Sequence, residues 1–217
     1  MPTQTPPVGP KPTLVLLVRH GTTPTTGKIL PGRAPGLSLS EKGRAQAEEV
    51  ARAIARTRHP PTAVYASPLE RTRETAGFIG RALGVRVRTR QELLECDVGD
   101  WTGSRLRRIT GTRAWKTVHA WPSGFRFPGG ESFSEMATRA EGVVVRLAES
   151  HRGESIVVVS HADPIKAVVA SAAGTPLDLF QRFVISPCSV SAILYSADGP
   201  HVLCVNSPGP PDEPELS

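Results

Sequence analysis

Short, continuous apolar runs alternate along the chain with longer amphipathic stretches. The apolar runs at 13–18, 63–66, 85–87 and 156–159 predict strands, and 190–195 and 202–205 predict two more near the end. The runs ending at Val18 and Val159 are apolar at successive positions, the pattern of a strand covered on both faces. Helices are predicted over 40–58, 68–83, 132–150 and 164–173. Ser40 is the expected N-cap of the first, and Gly84 and Gly174 are stop signals for the second and the last. Residues 101–130 predict one or two short helices and a Pro/Gly-rich loop over 121–130. Strands alternating with helices imply an α/β fold: a three-layer α/β/α sandwich around a mostly parallel sheet of roughly six strands.

Both ends read differently. The expected organisation is a disordered tail over 1–12, one domain over 13–206, and a second disordered tail over 207–217, because neither Pro-rich end can bury enough apolar surface to order itself. The segment before residue 13 lacks the apolar core of a secretion signal. No apolar run approaches the roughly 18–20 residues that would span a bilayer. The three cysteines, Cys96, Cys188 and Cys204, are odd in number and widely spaced. They predict reduced thiols in a cytoplasmic protein, with neither a disulfide framework nor a metal site.

The formal net charge of +6 favours anionic partners. Nucleic acid is disfavoured, since the arginines are scattered and aromatic residues make up only 5% of the chain. A small anionic substrate accounts for the charge equally well.

Four segments carry candidate chemistry. Arg19-His20-Gly21 follows the first strand, where open α/β sheets place ligands, and Gly21 lets the backbone approach one closely. Ser160-His161 ends another buried run; Asp163 and Pro164 then read as N-cap and first residue of the next helix. Ser67-Pro68-Leu69-Glu70-Arg71 reads as a capping box, putting Arg71 in a first helical turn with the positive end of the helix dipole, while Arg73 points away to solvent. The acidic loop from Leu94 to Gly103 contains Glu95, Asp97 and Asp100.

Together these segments resemble the histidine phosphatase superfamily, which includes the cofactor-dependent phosphoglycerate mutases. The carrying motifs are Arg19-His20-Gly21, the run from Ser67 through Arg71 to Thr75, Glu95 with Gly99, and the late Ser160-His161; Pro128 to Ser132 (Pro-Gly-Gly-Glu-Ser) looks like the phosphatase branch. The resemblance implies His20 as a nucleophile that takes up a phosphoryl group, with its second ring nitrogen held by a carbonyl. It implies Arg19 and Arg71 as forked donors to the phosphate, His161 as a further donor, ideally as imidazolium, and Glu95 as the proton donor and later base. Gly21, Thr26 and Ala162 would complete the substrate contacts. Two departures stand out: Thr26 replaces a frequent asparagine, and Ala162-Asp163 follows the second histidine, which keeps Asp163, and after it Asp97, as alternative proton donors.

The implied enzyme is a phosphomonoesterase acting on a small phosphorylated metabolite without metal or cofactor, with a homodimer as a candidate assembly. A mutase that returns the phosphoryl group to substrate, and a non-catalytic phospholigand-binding protein, are the competing readings. A nucleotide-binding loop over 21–28 fails because five residues separate its glycines and Ile29 replaces Ser/Thr. A serine-hydrolase elbow is missing from the sequence. Arg105, Arg107, Arg108, Arg113 and Arg126 fit either an extra acidic group on the substrate or plain solvation. Trp101, Trp115 and Trp121 read as packing residues, and His59, His119, His151 and His201 as structural or solvated.

Overall fold

The computed structural model describes residues 11–211. Strands β1 (Thr13–Arg19), β3 (Ala63–Ala66), β4 (Val87–Thr89), β6 (Ser155–Ser160), β7 (Val190–Ser196) and β8 (Gly199–Ser207) form one sheet in the order β4-β3-β6-β1-β7-β8. The first four in that order are parallel, and β7 and β8 are antiparallel additions on the β1 side. Six strands and a mostly parallel sheet match the expected α/β sandwich.

Alternation along the strands splits the core in two. Leu14, Leu16, Val18, Val64, Val157 and Val159 face α1 (Glu41–Ala55) and α2 (Glu70–Leu83). Val15, Leu17, Tyr65, Ile156 and Val158 face α5 (Phe133–Ser150) and α6 (Ala162–Ala172). Between the halves of the chain, β2 (Ile29–Leu30) pairs with β5 (Ser104–Arg105), and α3 (Leu106–Ile109) and α4 (Arg113–Ala120) fill the segment expected to hold short helices. This segment packs through its own aromatic core: Trp101 stacks on Trp115 with centroids 6.2 Å apart, and Phe127 meets both Trp101 and Phe133 edge-on.

Several local expectations shift for physical reasons. Ser40 caps α1 as expected, accepting from Gly43 N at 3.1 Å. Ser67 does not cap α2, whose N-cap is Leu69, because its hydroxyl is engaged elsewhere; the capping box of this protein is Ser132 with Glu135. Asp163 and Pro164 lie inside α6, whose N-cap is His161. The strand expected at 85–87 begins only at Val87, because Val85 N still bonds to Gly80 O and closes the left-handed turn at Gly84. Trp121, expected to pack, is 59% exposed. Most of the two expected tails lies outside the described residues; the described parts contact the domain. Pro12 O accepts from Gly153 N, β8 continues to Ser207, and Gly209 to Pro211 line a hollow with Ala53 and Arg56 at the end of α1.

The loop after β1 is clamped onto the start of α1. A Cβ on Gly21 would lie 2.5 Å from Gly43 O, and one on Gly43 would lie 2.0 Å from Thr22 O. Gly21 therefore serves a backbone crossing with α1. Thr22 O accepts from both Ser40 N and Ser40 Oγ, and Gln46 Oε1 takes Thr22 N. Gly43→Ala should cost about 1–3 kcal/mol of stability by forcing these backbones apart, and should lower activity by moving His20. Thermal melts and turnover of the purified variant check this, and an unchanged melting temperature would contradict it.

Candidate functional site

Three neighbouring parallel strands deliver their carboxyl ends to one place. Arg19 of β1 sits in register with Ser160 of β6, and His20 N donates to Ser160 O at 3.0 Å. His20 and His161 thus emerge side by side, their ring centroids 5.2 Å apart. On the other side of β6, Ser67 N donates to Val159 O, and Ser67 Oγ lies 2.9 Å from His161 Nε2. Arg71, in the first turn of α2, is fully buried among them.

The hydrogen bonds fix how each group is presented. His20 Nδ1 donates to Gly21 O at 2.8 Å, which leaves the lone pair on Nε2. Burial, then the Arg71 and Arg19 charges, push the imidazole down to a pKa of about 3, so it is neutral at physiological pH. Burial and Arg71 also hold His161 well below its ordinary value. Burial thus favours the neutral ring of His161, and the Ser67 Oγ contact at Nε2 leaves Nδ1 without a protein partner.

Arg19 Nη1 donates to Ile185 O at 2.6 Å and Arg71 Nη2 to Gly32 O at 2.8 Å. Among the described residues, four buried side-chain nitrogens have no hydrogen-bond partner: Arg19 Nε, Arg71 Nε, Arg71 Nη1 and His161 Nδ1. An unsatisfied buried donor costs about 1–3 kcal/mol, more when charged. Three such guanidinium donors, with the open His161 nitrogen beside them, make a built receptor for an anion with several acceptor oxygens. Ala162 opens α6 beside His161, so the positive end of that helix faces the same place.

Glu95 joins the group from the irregular segment after Leu93, whose carbonyl is held by Ser160 Oγ at 2.8 Å. Burial, reinforced by the negative charge of Asp163, raises its carboxyl to a pKa of about 7 despite the pull of Arg71 and Arg19. Asp163 pairs with Lys166 at 3.2 Å. Asp97 faces Arg33 and accepts from Gly99 N. Thr26 Oγ accepts from Thr23 N at 2.9 Å and closes the loop after β1.

Other expectations resolve simply. Arg126 is spent on Glu135 and the Gly130 carbonyl, and Arg105, Arg107, Arg108 and Arg113 are exposed. His151 bonds Tyr65 and Glu154, and His119 packs on Trp115. Sequence reasoning missed Ser67 as the partner of His161, the carbonyls of Gly32 and Ile185, and the pair Arg33 and Arg139 that bind the Glu95 segment. No local signal marks these, since each partner is far away in sequence. Gly99 and Gly130 are required where the Glu95 loop crosses residues 128–130: a Cβ on Gly99 would lie 2.1 Å from Pro128 O, and one on Gly130 would lie 2.3 Å from Asp97 O.

Comparison with known proteins places the chain in one family and one fold. The profile of the histidine phosphatase superfamily (branch 1) matches residues 15–208. Phosphoserine phosphatase 1 of Hydrogenobacter thermophilus is 30% identical over 187 residues, covering 82% of this chain and 85% of that protein. A Salmonella paratyphi C relative that carries a phosphoglycerate mutase name, GpmB, is 29% identical over 187 residues, covering 83% and 84%. In fold, the native structure of a mycobacterial glucosyl-3-phosphoglycerate phosphatase superposes with a TM-score of 0.81 at 23% identity, covering 91% of this chain and 100% of that one.

The unpartnered donors make a direct prediction. Inorganic phosphate should raise the melting temperature progressively once its concentration exceeds the dissociation constant. Arg71→Gln should abolish that shift. A shift that survives in Arg71→Gln would place the anion elsewhere.

Proposed function

The chain belongs to the histidine phosphatase superfamily, branch 1, and from that membership we propose that it is a phosphomonoesterase that hydrolyses a small phosphorylated metabolite through a phosphohistidine on His20. The observation that carries this reading is the set of four unpartnered buried nitrogens on Arg19, Arg71 and His161, gathered next to a neutral imidazole whose Nδ1 is already tethered.

In this reading the phosphate oxygens bind the two guanidiniums and His161 Nδ1. These groups are fixed before substrate arrives, so they stabilise the charge of the transferring phosphoryl group without reorganising. His20 Nε2 attacks phosphorus as the bond to the leaving oxygen breaks, and Glu95 gives that oxygen its proton. In the second step the Glu95 carboxylate takes a proton from water, the water oxygen attacks phosphorus, and the bond to Nε2 breaks to release inorganic phosphate and neutral His20. A carboxyl raised to about 7 suits both halves. Ala162 contributes the positive helix end, and Gly21 and Thr26 hold the loop after β1 in place. The chain's free thiols accord with a cytoplasmic setting, and no helix among the described residues is long and apolar enough to cross a membrane.

Two experiments test this. His20→Ala should remove turnover of an aryl phosphate while the fold persists, and brief incubation of the wild type with labelled substrate should trap acid-labile phosphate on His20. Label that passes to water marks a phosphatase, label returned to an acceptor a mutase, and binding without any label transfer a non-catalytic phospholigand protein. The pH dependence has a defined sign. Glu95 must be protonated and His20 neutral, so kcat/KM for an alkyl phosphate should fall as pH rises through about 7, and its acid limb should lie near pH 3. Glu95→Gln should slow alkyl phosphates about 10²–10⁴-fold and good leaving groups far less. Equal slowing of both would move the acid to Asp163 or Asp97.

A further inference from the structure

Glu95 sits where regular structure cannot hold it. It lies between the turn Gln91–Leu93 and the turn Gly99–Trp101, with no strand ladder or helix to fix its backbone. Side chains from two distant parts of the fold do so instead. The Glu95 carbonyl accepts from Arg33 Nε at 2.8 Å and from Arg139 Nη2 at 3.0 Å, which uses both its lone pairs. Arg139 Nη1 binds the carbonyls of Glu92 and Leu94 at 2.8 and 2.7 Å.

Glu131 closes the set. Its Oε1 accepts from Arg33 Nη2 at 2.8 Å, Arg139 Nη2 at 2.5 Å and Asp97 N at 2.9 Å, and its Oε2 accepts from Arg139 Nε at 3.1 Å. Backbone groups on either side of the Glu95–Cys96 step are thus locked by one carboxylate and two guanidiniums. Arg33 has a second connection. The residue before it, Gly32, accepts Arg71 Nη2 at 2.8 Å, so two successive residues hold the anion-binding guanidinium and the acid-bearing segment.

We propose that Arg33, Arg139 and Glu131 are positioning residues that register the Glu95 carboxyl against the phosphate site, so that proton delivery to the leaving oxygen depends on them. The inference rests on Glu95 being the proton donor. A displacement of about 1 Å in a catalytic group can cost 10²-fold, and a lysine cannot reproduce the fork of an arginine. A merely structural network would predict something else: loss of stability and an equal loss of activity on every substrate.

The test is kcat/KM across aryl phosphates with phenols of graded acidity plus one alkyl phosphate, for the wild type, Arg33→Gln, Arg33→Lys, Glu131→Gln and Glu95→Gln. The Arg33 side chain is 30% exposed, so its variants leave no fully buried hole. Arg33→Gln and Glu131→Gln should each lose at least about tenfold on the alkyl phosphate and less than about threefold on the best leaving group, steepening the leaving-group dependence partway towards that of Glu95→Gln. Arg33→Lys should fail to restore the shallow dependence. Parallel dependences in the Arg33 and Glu131 variants, with Glu95→Gln alone steepened, would overturn the positioning role and leave the acid assignment standing. A wild-type dependence in Glu95→Gln would remove the acid assignment and this inference with it. If either Arg33→Gln or Glu131→Gln melts below the assay temperature, the leaving-group dependence of the other decides between these outcomes.

Discussion

Two guanidiniums, Arg19 and Arg71, are held out of water beside two imidazoles, and among the described residues neither forms an ion pair with a carboxylate. Isolated buried charge is expensive, and the arrangement persists because the surroundings bend to it. Backbone carbonyls of Ile185 and Gly32 each take one N–H. Both histidines stay neutral. The Glu95 carboxyl acts on both cations, yet burial and the Asp163 charge raise its pKa to about 7 and so weaken it as a counter-ion. The positive charge is thereby only partly compensated by protein groups, and burial is the largest influence on His20, His161 and Glu95 alike.

The sheet makes this cluster possible. In-register parallel pairing of β1 and β6 sets His20 next to His161, and β3 on the far side of β6 adds Ser67 and the start of α2. The two antiparallel strands complete the sheet without entering the site, although the chain leading into β7 supplies the Ile185 carbonyl to Arg19. The acid arrives from outside the sheet, and this is why it needs a separate set of side chains to place it.

What is legible in the sequence follows from local pattern. His20 and His161 stand out because each ends a continuous apolar run, and Arg71 because a helix start follows Ala66. Where tertiary contacts override local preference, pattern misleads. Ser67 looks like a cap, but its hydroxyl belongs to His161. Arg33 and Arg139 reach Glu95 across separations of 62 and 44 residues; nothing in their neighbours distinguishes them from the other scattered arginines.

All three tryptophans of the chain, Trp101, Trp115 and Trp121, fall in the segment that packs through its own aromatic core, and none lies in the main sheet. Trp101 and Trp115 are stacked, whereas Trp121 faces water. Intrinsic indole emission from this protein is therefore a native optical reporter of one region only: rearrangement of that aromatic segment registers in the spectrum, while the carboxyl end of the sheet, where His20 and His161 emerge, contributes no indole of its own.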